Sequence, residues 1–246
     1  MINGKTITLL VPCRNEAGII ASFLGRVPAC VDEVLIVDNN STDRTVQIAR
    51  KHGARVVCET RTTNGIGYGF AHMTGITQAT GDYIVAMDGD DTYPLESIGP
   101  VVGMMEERRF DMVSCNRLPL TNPNAISRTR QLGIHILNML VRTLYGFPIK
   151  DILTGMWVIR RDVALSLTLR EGDWNFSPEI KLEALARKDI RFAEYHIHHF
   201  ERAREPSKQD IFRTGFAHAW YILERRFTRD SVWYELLQST RLVFER

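Results

Sequence analysis

The fold is decided by residues 81–94, which read Gly-Asp-Tyr-Ile-Val-Ala-Met-Asp-Gly-Asp-Asp-Thr-Tyr-Pro. Their apolar centre, with two adjacent β-branched residues, predicts a short buried strand. Three carboxylates follow it directly, on Asp88, Asp90 and Asp91. Carboxylates this close repel one another unless a cation lies among them, and Mg²⁺ typically binds one or two carboxylates together with substrate phosphates. The stretch therefore predicts a divalent metal at the carboxyl end of a strand, with an acidic turn before a helix as the alternative.

Strand and helix signals alternate over the first 115 residues. Strands are predicted at Thr6–Val11, Glu33–Asp38, Ala54–Cys58, Asp82–Met87 and Asp111–Cys115. Helices are predicted between them, at Ala17–Arg26, Asp43–His52, Gly69–Ala79 and Pro94–Arg108. This alternation predicts an α/β fold with a mostly parallel central sheet flanked by helices, which binds ligands beyond the carboxyl ends of its strands.

The pattern is less regular after residue 115. It predicts a helix over Ile126–Phe147, a loop and strand over Asp151–Arg161, a helix over Ser177–Arg187 with Ser177 as its N-cap, and a strand over Arg191–Phe200. The stretch from residue 209 to 246 is rich in aromatic residues and arginine and is also predicted to be helical.

Polar loops follow the predicted strands at their carboxyl ends. Pro12–Glu16 comes after the first strand, and Asn39–Asp43 comes after the second. Because these ends share one edge of a parallel sheet, we expect both loops and the acidic triplet to form one site. Asp38, which ends the second strand, could accept hydrogen bonds from a ribose or a base. The alternative is a purely structural role for this loop, in which Thr42 or Asp43 caps the following helix.

Two further groups of residues are candidates for ligand contacts. The glycine-rich stretch around Gly67 would let backbone approach a nucleotide sugar closely, or would simply be a flexible loop. Guanidinium groups present a planar donor fork that suits phosphate. The basic candidates are Arg117, Arg128, Arg130, Arg202 and Lys208. The last two lie in a stretch of mixed charge that is equally typical of a solvated loop.

The bulk properties exclude several classes of protein. A chain of 246 residues accommodates one large α/β domain with an appendage, and a net charge of +2 gives no reason to expect nucleic acid. The four cysteines lack zinc-ligand spacing, and no secretory signal is recognised, so we expect a cytoplasmic protein with reduced thiols. His196, His198 and His199 lack a cysteine or carboxylate to complete a zinc site, which favours packed or surface imidazoles.

In order along the chain, these segments resemble the family 2 inverting glycosyltransferases with a GT-A fold. Val11–Glu16 resembles the family's Val-Pro-x-x-Asn-Glu, and Met87–Asp90 its metal-binding Asp-x-Asp. Val37–Asp43 is similar to the nucleotide-contacting Val-Asp-Asp-x-Ser-x-Asp, with Asn39 in place of the second Asp. The resemblance covers residues 6 to 208. It implies Mg²⁺ or Mn²⁺ at Asp88 and Asp90, and a nucleotide-sugar donor contacted by Pro12, Asn15, Glu16, Asp38, Asn40, Asp88, Gly89 and Asp90.

The later segments resemble one group within that family, the polyprenyl-phosphate hexose transferases such as the dolichyl-phosphate mannose synthases. Asp151–Met156 is similar to their Asp-x-x-Ser/Thr-Gly-Phe. Glu194–Lys208 resembles a longer motif, although His199 replaces a Tyr and Glu205 replaces a Gly. The residues that match this motif are Arg202, Ser207 and Lys208. The resemblance implies transfer of a hexose, with inversion, from a UDP- or GDP-sugar to a polyprenyl or dolichyl phosphate.

The implied roles divide the site between donor and acceptor. A metal at Asp88 and Asp90 would neutralise the leaving diphosphate. The acceptor phosphate would be held by Arg117, Arg128, Arg130, Arg202, Ser207 and Lys208, of which Arg117, Arg202 and Lys208 would also stabilise developing charge. A lipid phosphate is already an anionic nucleophile. A hydroxyl acceptor would instead require a carboxylate base, for which Asp151 is the candidate.

The predicted organisation is a glycosyltransferase domain over residues 1–208 and a C-terminal amphipathic helical segment over 209–246. Within the domain, residues 1–115 form the nucleotide-sugar half, and residues 116–208 form the acceptor half with an amphipathic helix at 126–147. Both amphipathic segments combine apolar residues at helical spacing with arginines, which predicts peripheral contact with the cytoplasmic face of a membrane. The alternative is that they cover the sheet or form an interface in a homo-oligomer or with a membrane subunit.

Two other functional interpretations stay open at this point. One is a soluble family 2 enzyme that acts on a glycan or protein hydroxyl. The other is a non-catalytic subunit that only binds a nucleotide sugar.

Overall fold

The computed structural model describes residues 1–63, 65–201 and 210–228. The predicted phosphate-binding residues Arg202, Ser207 and Lys208 lie outside the described residues. The same holds for the predicted helical segment beyond residue 228.

The described residues form one mixed sheet. Its strands are β1 (Ile7–Cys13), β2 (Glu33–Asp38), β3 (Arg55–Cys58), β4 (Tyr83–Ala86), β5 (Met112–Asn116), β6 (Trp157–Arg160) and β7 (Phe192–His196). They lie in the order β3-β2-β1-β4-β6-β5-β7. β6 is antiparallel to both of its neighbours, β4 and β5, and the remaining pairs are parallel. The prediction of an α/β fold with a mostly parallel sheet is confirmed.

Helices flank this sheet. They are α1 (Ile20–Leu24), α2 (Thr45–Lys51), α3 (Tyr68–Gln78), α4 (Ile98–Arg108), α5 (Arg128–Tyr145), α6 (Arg161–Ser166), α7 (Phe176–Ala186) and α8 (Ile211–Thr228), with a 3₁₀ turn at Leu95–Ser97 before α4. The pairing of β4 with β6 joins residues from both predicted halves of the domain into one sheet.

Helices on both faces bury the central strands completely. Successive side chains of a strand point to opposite faces, so Leu9 and Val11 of β1 join one core cluster and Leu10 joins the other. In the same way Val85 of β4 lies in the first cluster and Ile84 in the second. Burial on both faces explains why these strands are continuous apolar runs without alternation of polar residues.

The helices α5 and α8 pack against each other over a cluster of their own. Leu137 and Val141 of α5 meet Tyr221 and Ile222 of α8 in this cluster. The Tyr145 hydroxyl donates a hydrogen bond of 2.8 Å to the carbonyl of Ile222. Neither helix, nor any other in the described part of the chain, has the length and apolarity that crossing a bilayer requires.

Candidate active site

The loops after β1 and β2 are joined at the carboxyl edge of the sheet. The Asn15 side-chain oxygen accepts the Thr42 backbone N–H at 2.8 Å, and the Asn15 N–H donates to Ser41 Oγ at 2.9 Å. The Glu16 N–H donates to Thr45 Oγ1 at 2.8 Å. Asn15 therefore positions two loops, and Glu16 is held with its side chain at the rim of a cavity.

That cavity has a volume of about 410 Å³, which suits a small-molecule ligand. It brings together seven of the residues predicted from the sequence: Pro12, Glu16, Asp88, Gly89, Asp90, Arg117 and Arg130. Other predicted residues in the described part of the chain do not line it: Asn15, Asp38, Asn40, Gly67, Arg128 and Asp151. The acidic motif and two of the predicted phosphate-binding arginines thus share one chamber.

Asp88 is held by contacts on two sides of its carboxylate. The Tyr68 hydroxyl donates to Asp88 Oδ1 at 3.0 Å. Burial raises the pKa of Tyr68 well above its usual value, and the Asp88 charge raises it further, so the phenol keeps the proton that it donates. On the other side, a Cβ added to Gly155 would lie 2.8 Å from Asp88 Oδ2. Gly155 therefore has to be a glycine for the carboxylate to occupy this position.

The other two carboxylates of the triplet point to different surroundings. Asp90 is buried, and its Oδ1 accepts the Thr92 hydroxyl at 2.7 Å. Asp91 has a left-handed backbone, with φ at +66°, and its side chain forms an ion pair with Arg26. Asp88 and Asp90 consequently line the cavity, whereas Asp91 shapes the turn.

Two glycines allow backbone to approach this site closely. A Cβ on Gly89 would lie 2.9 Å from the Cys13 sulfur, so the turn of the acidic motif packs directly on β1. Gly67 has a φ of +76°, and a Cβ there would meet the Arg61 carbonyl oxygen at 2.2 Å. Both positions require glycine.

Arg117 and Asp151 form a buried ion pair rather than two separate site residues. Arg117 Nε and Nη2 donate to the two oxygens of Asp151 at 2.7 and 2.9 Å. Burial alone would raise the pKa of Asp151, but the Arg117 guanidinium outweighs it and the pKa is lowered. Asp151 is fully buried, and Arg117 stands between it and the cavity. This geometry makes Asp151 the anchor that orients Arg117, and its role as a base for a hydroxyl acceptor stays a prediction.

A buried lysine holds the segment that follows Asp151. Lys181 of α7 donates to the carbonyls of Ile152, Thr154 and Ser177 at 3.0, 2.8 and 2.9 Å. Burial lowers the pKa of Lys181 to about 7. Its three carbonyl acceptors fix the loop that presents Leu153 and Gly155 to the cavity.

The structure adds site residues that the sequence reasoning missed. Tyr93 accepts the Gly155 N–H at 2.7 Å, and its ring lies 5.0 Å from that of His199. Burial lowers the pKa of His199 to about 3, so its imidazole is neutral. Its Nδ1 is buried and has no hydrogen-bond partner among the described residues. Trp174 and His218 also line the cavity. Three of the four carried a signal in the sequence: Tyr93 lies two residues after the acidic triplet, His199 occupies the position of the motif's Tyr, and Trp174 was expected in the core or a pocket wall.

The donor set at Asp88 and Asp90 fits a hard divalent cation. Two carboxylates face the same cavity, and the neutral imidazole of His199 is available beside them. Within residues 1–63, 65–201 and 210–228, no three histidine, cysteine or acidic side chains converge into a complete ligand set. An incomplete protein shell is what Mg²⁺ commonly has when substrate phosphates complete its coordination.

The two ends of the cavity differ in chemistry. Near β2, Asn39 lines the cavity and Asp38 lies next to it in the chain, and the side-chain oxygens Asp38 Oδ1 and Asn39 Oδ1 are buried and lack partners within the described chain. Buried polar atoms without partners are costly, and they are typical of sites completed by a ligand. The other end places Arg117 and Arg130 against an apolar wall formed by Ala125, Ile126, Ile134 and Leu153.

Sequence comparison identifies relatives of the chain. Residues 8–167 match the family described as Glycosyl transferase family 2. The low-salt glycan biosynthesis hexosyltransferase Agl6 of Haloferax volcanii is 29% identical over 89% of this chain, which spans 53% of that relative. A dolichyl-phosphate hexose transferase of the same organism is 32% identical over 82% of this chain and 86% of its own length.

Solved structures share the fold. Glucosyl-3-phosphoglycerate synthase from Mycobacterium tuberculosis, in complex with Mn²⁺, UDP and glucosyl-3-phosphoglycerate, superposes with a TM-score of 0.72 at 22% identity. The match covers 91% of this chain and 80% of that one. This likeness confirms the GT-A fold. With the family match over residues 8–167, it identifies the chain as a member of glycosyl transferase family 2.

Proposed function

We propose that this glycosyltransferase moves a hexose from a nucleotide diphosphate sugar, with inversion, to a polyprenyl or dolichyl phosphate at a membrane surface. The observation that carries this proposal is the acceptor end of the cavity, where Arg117 and Arg130 lie against a wall of four apolar side chains. Two guanidinium groups beside apolar side chains suit a ligand in which a phosphate is attached to a hydrocarbon chain. The similarity to a dolichyl-phosphate hexose transferase, 32% identical to this chain, supports the same acceptor class.

The donor would lie between β2 and the acidic motif. Asp38 and Asn39 offer acceptor oxygens to the N–H and O–H groups of a nucleoside, and Asp88 and Asp90 would hold a divalent metal with the diphosphate. When bound, the metal would act as a Lewis acid that stabilises the leaving diphosphate. Tyr68 fixes the Asp88 carboxylate through its hydrogen bond, so the carboxylate needs little rearrangement during the reaction.

The acceptor phosphate would bind at Arg117, whose own direction is set by Asp151. Because Asp151 already shares the Arg117 charge, the guanidinium is fixed in orientation and offers its outward face to the anion. The phosphate oxygen attacks the anomeric carbon as the bond to the leaving diphosphate breaks. No side chain has to take a proton from this nucleophile, which agrees with the buried, fully engaged state of Asp151.

An exposed aromatic face on α8 supports the proposed peripheral membrane contact. Phe212, Phe216, Trp220 and Phe227, here called the aromatic stripe, are 61–79% exposed. At 3.6 residues per turn their directions fall within about 80° of arc. Such a face, with arginines at its flanks, is typical of a helix lying in a bilayer interface. On α5, the exposed residues Leu132, Ile136 and Met139 offer a second apolar face.

One observation favours a different acceptor. His218 of α8 lines the cavity, and its Nδ1 lies 2.9 Å from the Asn175 side-chain oxygen. That contact assigns the proton to Nδ1 and leaves Nε2 as an acceptor. A hydroxyl acceptor, such as a phosphorylated hydroxy acid, could use that nitrogen as its base. The structural neighbour that carries glucosyl-3-phosphoglycerate makes this the second candidate function.

The deciding experiment compares acceptors directly. The purified protein is incubated with labelled UDP-glucose or GDP-mannose, Mn²⁺, and either undecaprenyl phosphate, dolichyl phosphate or 3-phosphoglycerate. We expect label to enter the organic phase with a polyprenyl phosphate, and to be lost when EDTA removes the metal. Label transferred only to 3-phosphoglycerate would overturn the lipid acceptor and support the second candidate.

A further inference from the structure

Trp174 lines the cavity, and one face of its ring is covered. Its ring stacks on Tyr68, with centroids 4.9 Å apart and an angle of 27° between the planes. Tyr68 itself is buried, with its ring also against His72 at 4.5 Å. Trp174 is only partly buried, and it belongs to the cavity lining. Tyr68 therefore supports the indole from behind, and the uncovered part of the ring borders the cavity.

The backbone on both sides of Trp174 is fixed. Before it, Asp173 accepts the Gly67 N–H at 3.3 Å, and a Cβ on Gly172 would lie 2.3 Å from the Phe70 ring. After it, the Asn175 side chain bonds His218 of α8 at 2.9 Å. A ring held this way loses little conformational entropy when a ligand packs on it.

The position of this ring relative to Asp88 suggests what packs on it. Tyr68, whose ring supports Trp174, also donates its hydroxyl hydrogen to Asp88 Oδ1 at 3.0 Å. In a nucleotide diphosphate sugar the hexose follows directly after the second phosphate. A diphosphate held at Asp88 would therefore place its hexose next to the indole. The C–H face of a hexose is apolar and flat enough to pack on an aromatic ring.

We propose that Trp174 is the stacking platform for the donor hexose, and thereby a determinant of sugar specificity. The inference rests on the proposed function in one respect, since it takes Asp88 as the diphosphate end of the donor site. It adds a sugar subsite formed by Trp174, with Tyr68 as the positioning residue behind it.

The test compares nucleotides with and without the sugar. Calorimetric titration in Mn²⁺ measures Kd for UDP, UDP-glucose, GDP and GDP-mannose with the wild-type protein, Trp174→Phe and Trp174→Leu. For the nucleotide that binds, we expect Trp174→Leu to weaken the sugar-bearing form by about tenfold. The sugar-free form should stay within about twofold, because it does not reach the ring. Trp174→Phe, which keeps a smaller aromatic face, should fall between the wild-type protein and Trp174→Leu.

Each outcome separates the subsite from the overall function. Equal weakening of both forms, or no weakening of either, in a variant that still binds the sugar-free nucleotide would overturn the platform and leave the proposed transfer standing. If Trp174→Leu unfolds and loses all nucleotide binding, the test uses Trp174→Phe instead. The deciding quantity is then the ratio of its Kd for the sugar-bearing nucleotide to its Kd for the sugar-free nucleotide. Failure of the wild-type protein to bind any of the four nucleotides would overturn the donor site itself, and the platform with it.

Discussion

Asp90 and Asp91 are adjacent carboxylates with different surroundings, and this allows a matched pair of substitutions. Asp90→Asn removes a charge from the cavity, and we expect it to reduce transfer by about a hundredfold or more, since it weakens the metal and diphosphate site. Asp91→Asn removes the ion pair with Arg26 at the surface. Asparagine tolerates the left-handed backbone at that position, so activity should stay within about threefold.

The measurement for this pair is the initial rate of hexose transfer at several Mn²⁺ concentrations. A metal site at Asp90 predicts that excess Mn²⁺ partly restores Asp90→Asn and leaves Asp91→Asn unchanged. Equal losses in the two variants would show that net charge in the loop matters, and not the direction of one side chain.

Gly155 provides a second test at this scale. An added Cβ would lie 2.8 Å from Asp88 Oδ2 and 3.2 Å from the Tyr93 hydroxyl, so Gly155→Ala must displace the carboxylate. We expect kcat to fall by roughly tenfold to a hundredfold, as small displacements at a reacting centre often do. The control is Gly103→Ala in α4, where a Cβ meets nothing within 4 Å. That variant should keep its activity and gain about 0.5–1 kcal/mol in unfolding free energy.

At the residue scale, the sequence predicted what is local in the chain. The spacing of Asp88, Gly89 and Asp90 after an apolar run was enough to place them at a strand end. The aromatic support for Asp88 was not predictable in that way, because Tyr68, Trp174 and Gly155 are far apart in the sequence. They meet only once the strand order is set. The pairing of Asp151 with Arg117 was not predictable for the same reason, since the two residues are 34 positions apart.

At the scale of elements, α8 has one face exposed to solvent and another that borders the cavity. The aromatic stripe points outward, and His218, about 160° around the helix from its centre, lines the cavity. We expect the double variant Phe216→Ser, Trp220→Ser to bind vesicles of phosphatidylcholine and phosphatidylglycerol at least about tenfold more weakly. Flotation of purified protein with such vesicles measures this partition.

The control for the stripe is an exposed apolar residue elsewhere on the surface. Leu165 of α6 is 46% exposed, and Leu165→Ser should leave flotation unchanged. Wild-type protein that stays at the bottom of the gradient with these vesicles would contradict membrane contact by α8. The stripe would then have to serve as a subunit interface, which the oligomeric state in solution would show.

The positions of most helices and strands along the chain were predictable from the sequence. Whether neighbouring strands run parallel or antiparallel was not. Glu33–Asp38 was predicted with the bounds that the structure shows, because its apolar run is framed by polar residues. The start of α7 was predicted two residues late: the helix begins at Phe176, and its N-cap is Asn175 and not Ser177. The antiparallel direction of β6 left no local signal, since a strand's partners lie far along the chain.

At the scale of the whole molecule, buried histidines make stability depend on pH. Burial lowers the pKa of His72 to about 3 and that of His218 to about 4, below the usual 6.5. The unfolded chain binds protons at these groups below pH 6.5, whereas the folded protein does not. Their contribution to stability is therefore complete above that pH and decreases as the pH falls. Each histidine contributes a slope of up to about 1.4 kcal/mol per pH unit.

Urea unfolding at a series of pH values from neutral to mildly acidic measures this slope. His72→Phe keeps an aromatic ring stacked on Phe176 and should make the dependence on pH shallower. His52→Gln, at an exposed position after α2, serves as the control and should not change the slope. A slope unaffected by His72→Phe would show that this imidazole is protonated in the folded protein.

The two faces of α8 also have a consequence in terms of thermodynamic linkage. α8 borders the cavity on one face and carries the surface proposed to contact lipid on the other. If a cavity ligand stabilises one position of α8, the same coupling free energy must change the affinity of the protein for vesicles. The factor by which vesicles change the Kd of the donor has to equal the factor by which the donor changes the partition onto vesicles. If donor and membrane favour the same position of α8, the loaded enzyme associates with the membrane more strongly and is released as its donor is consumed.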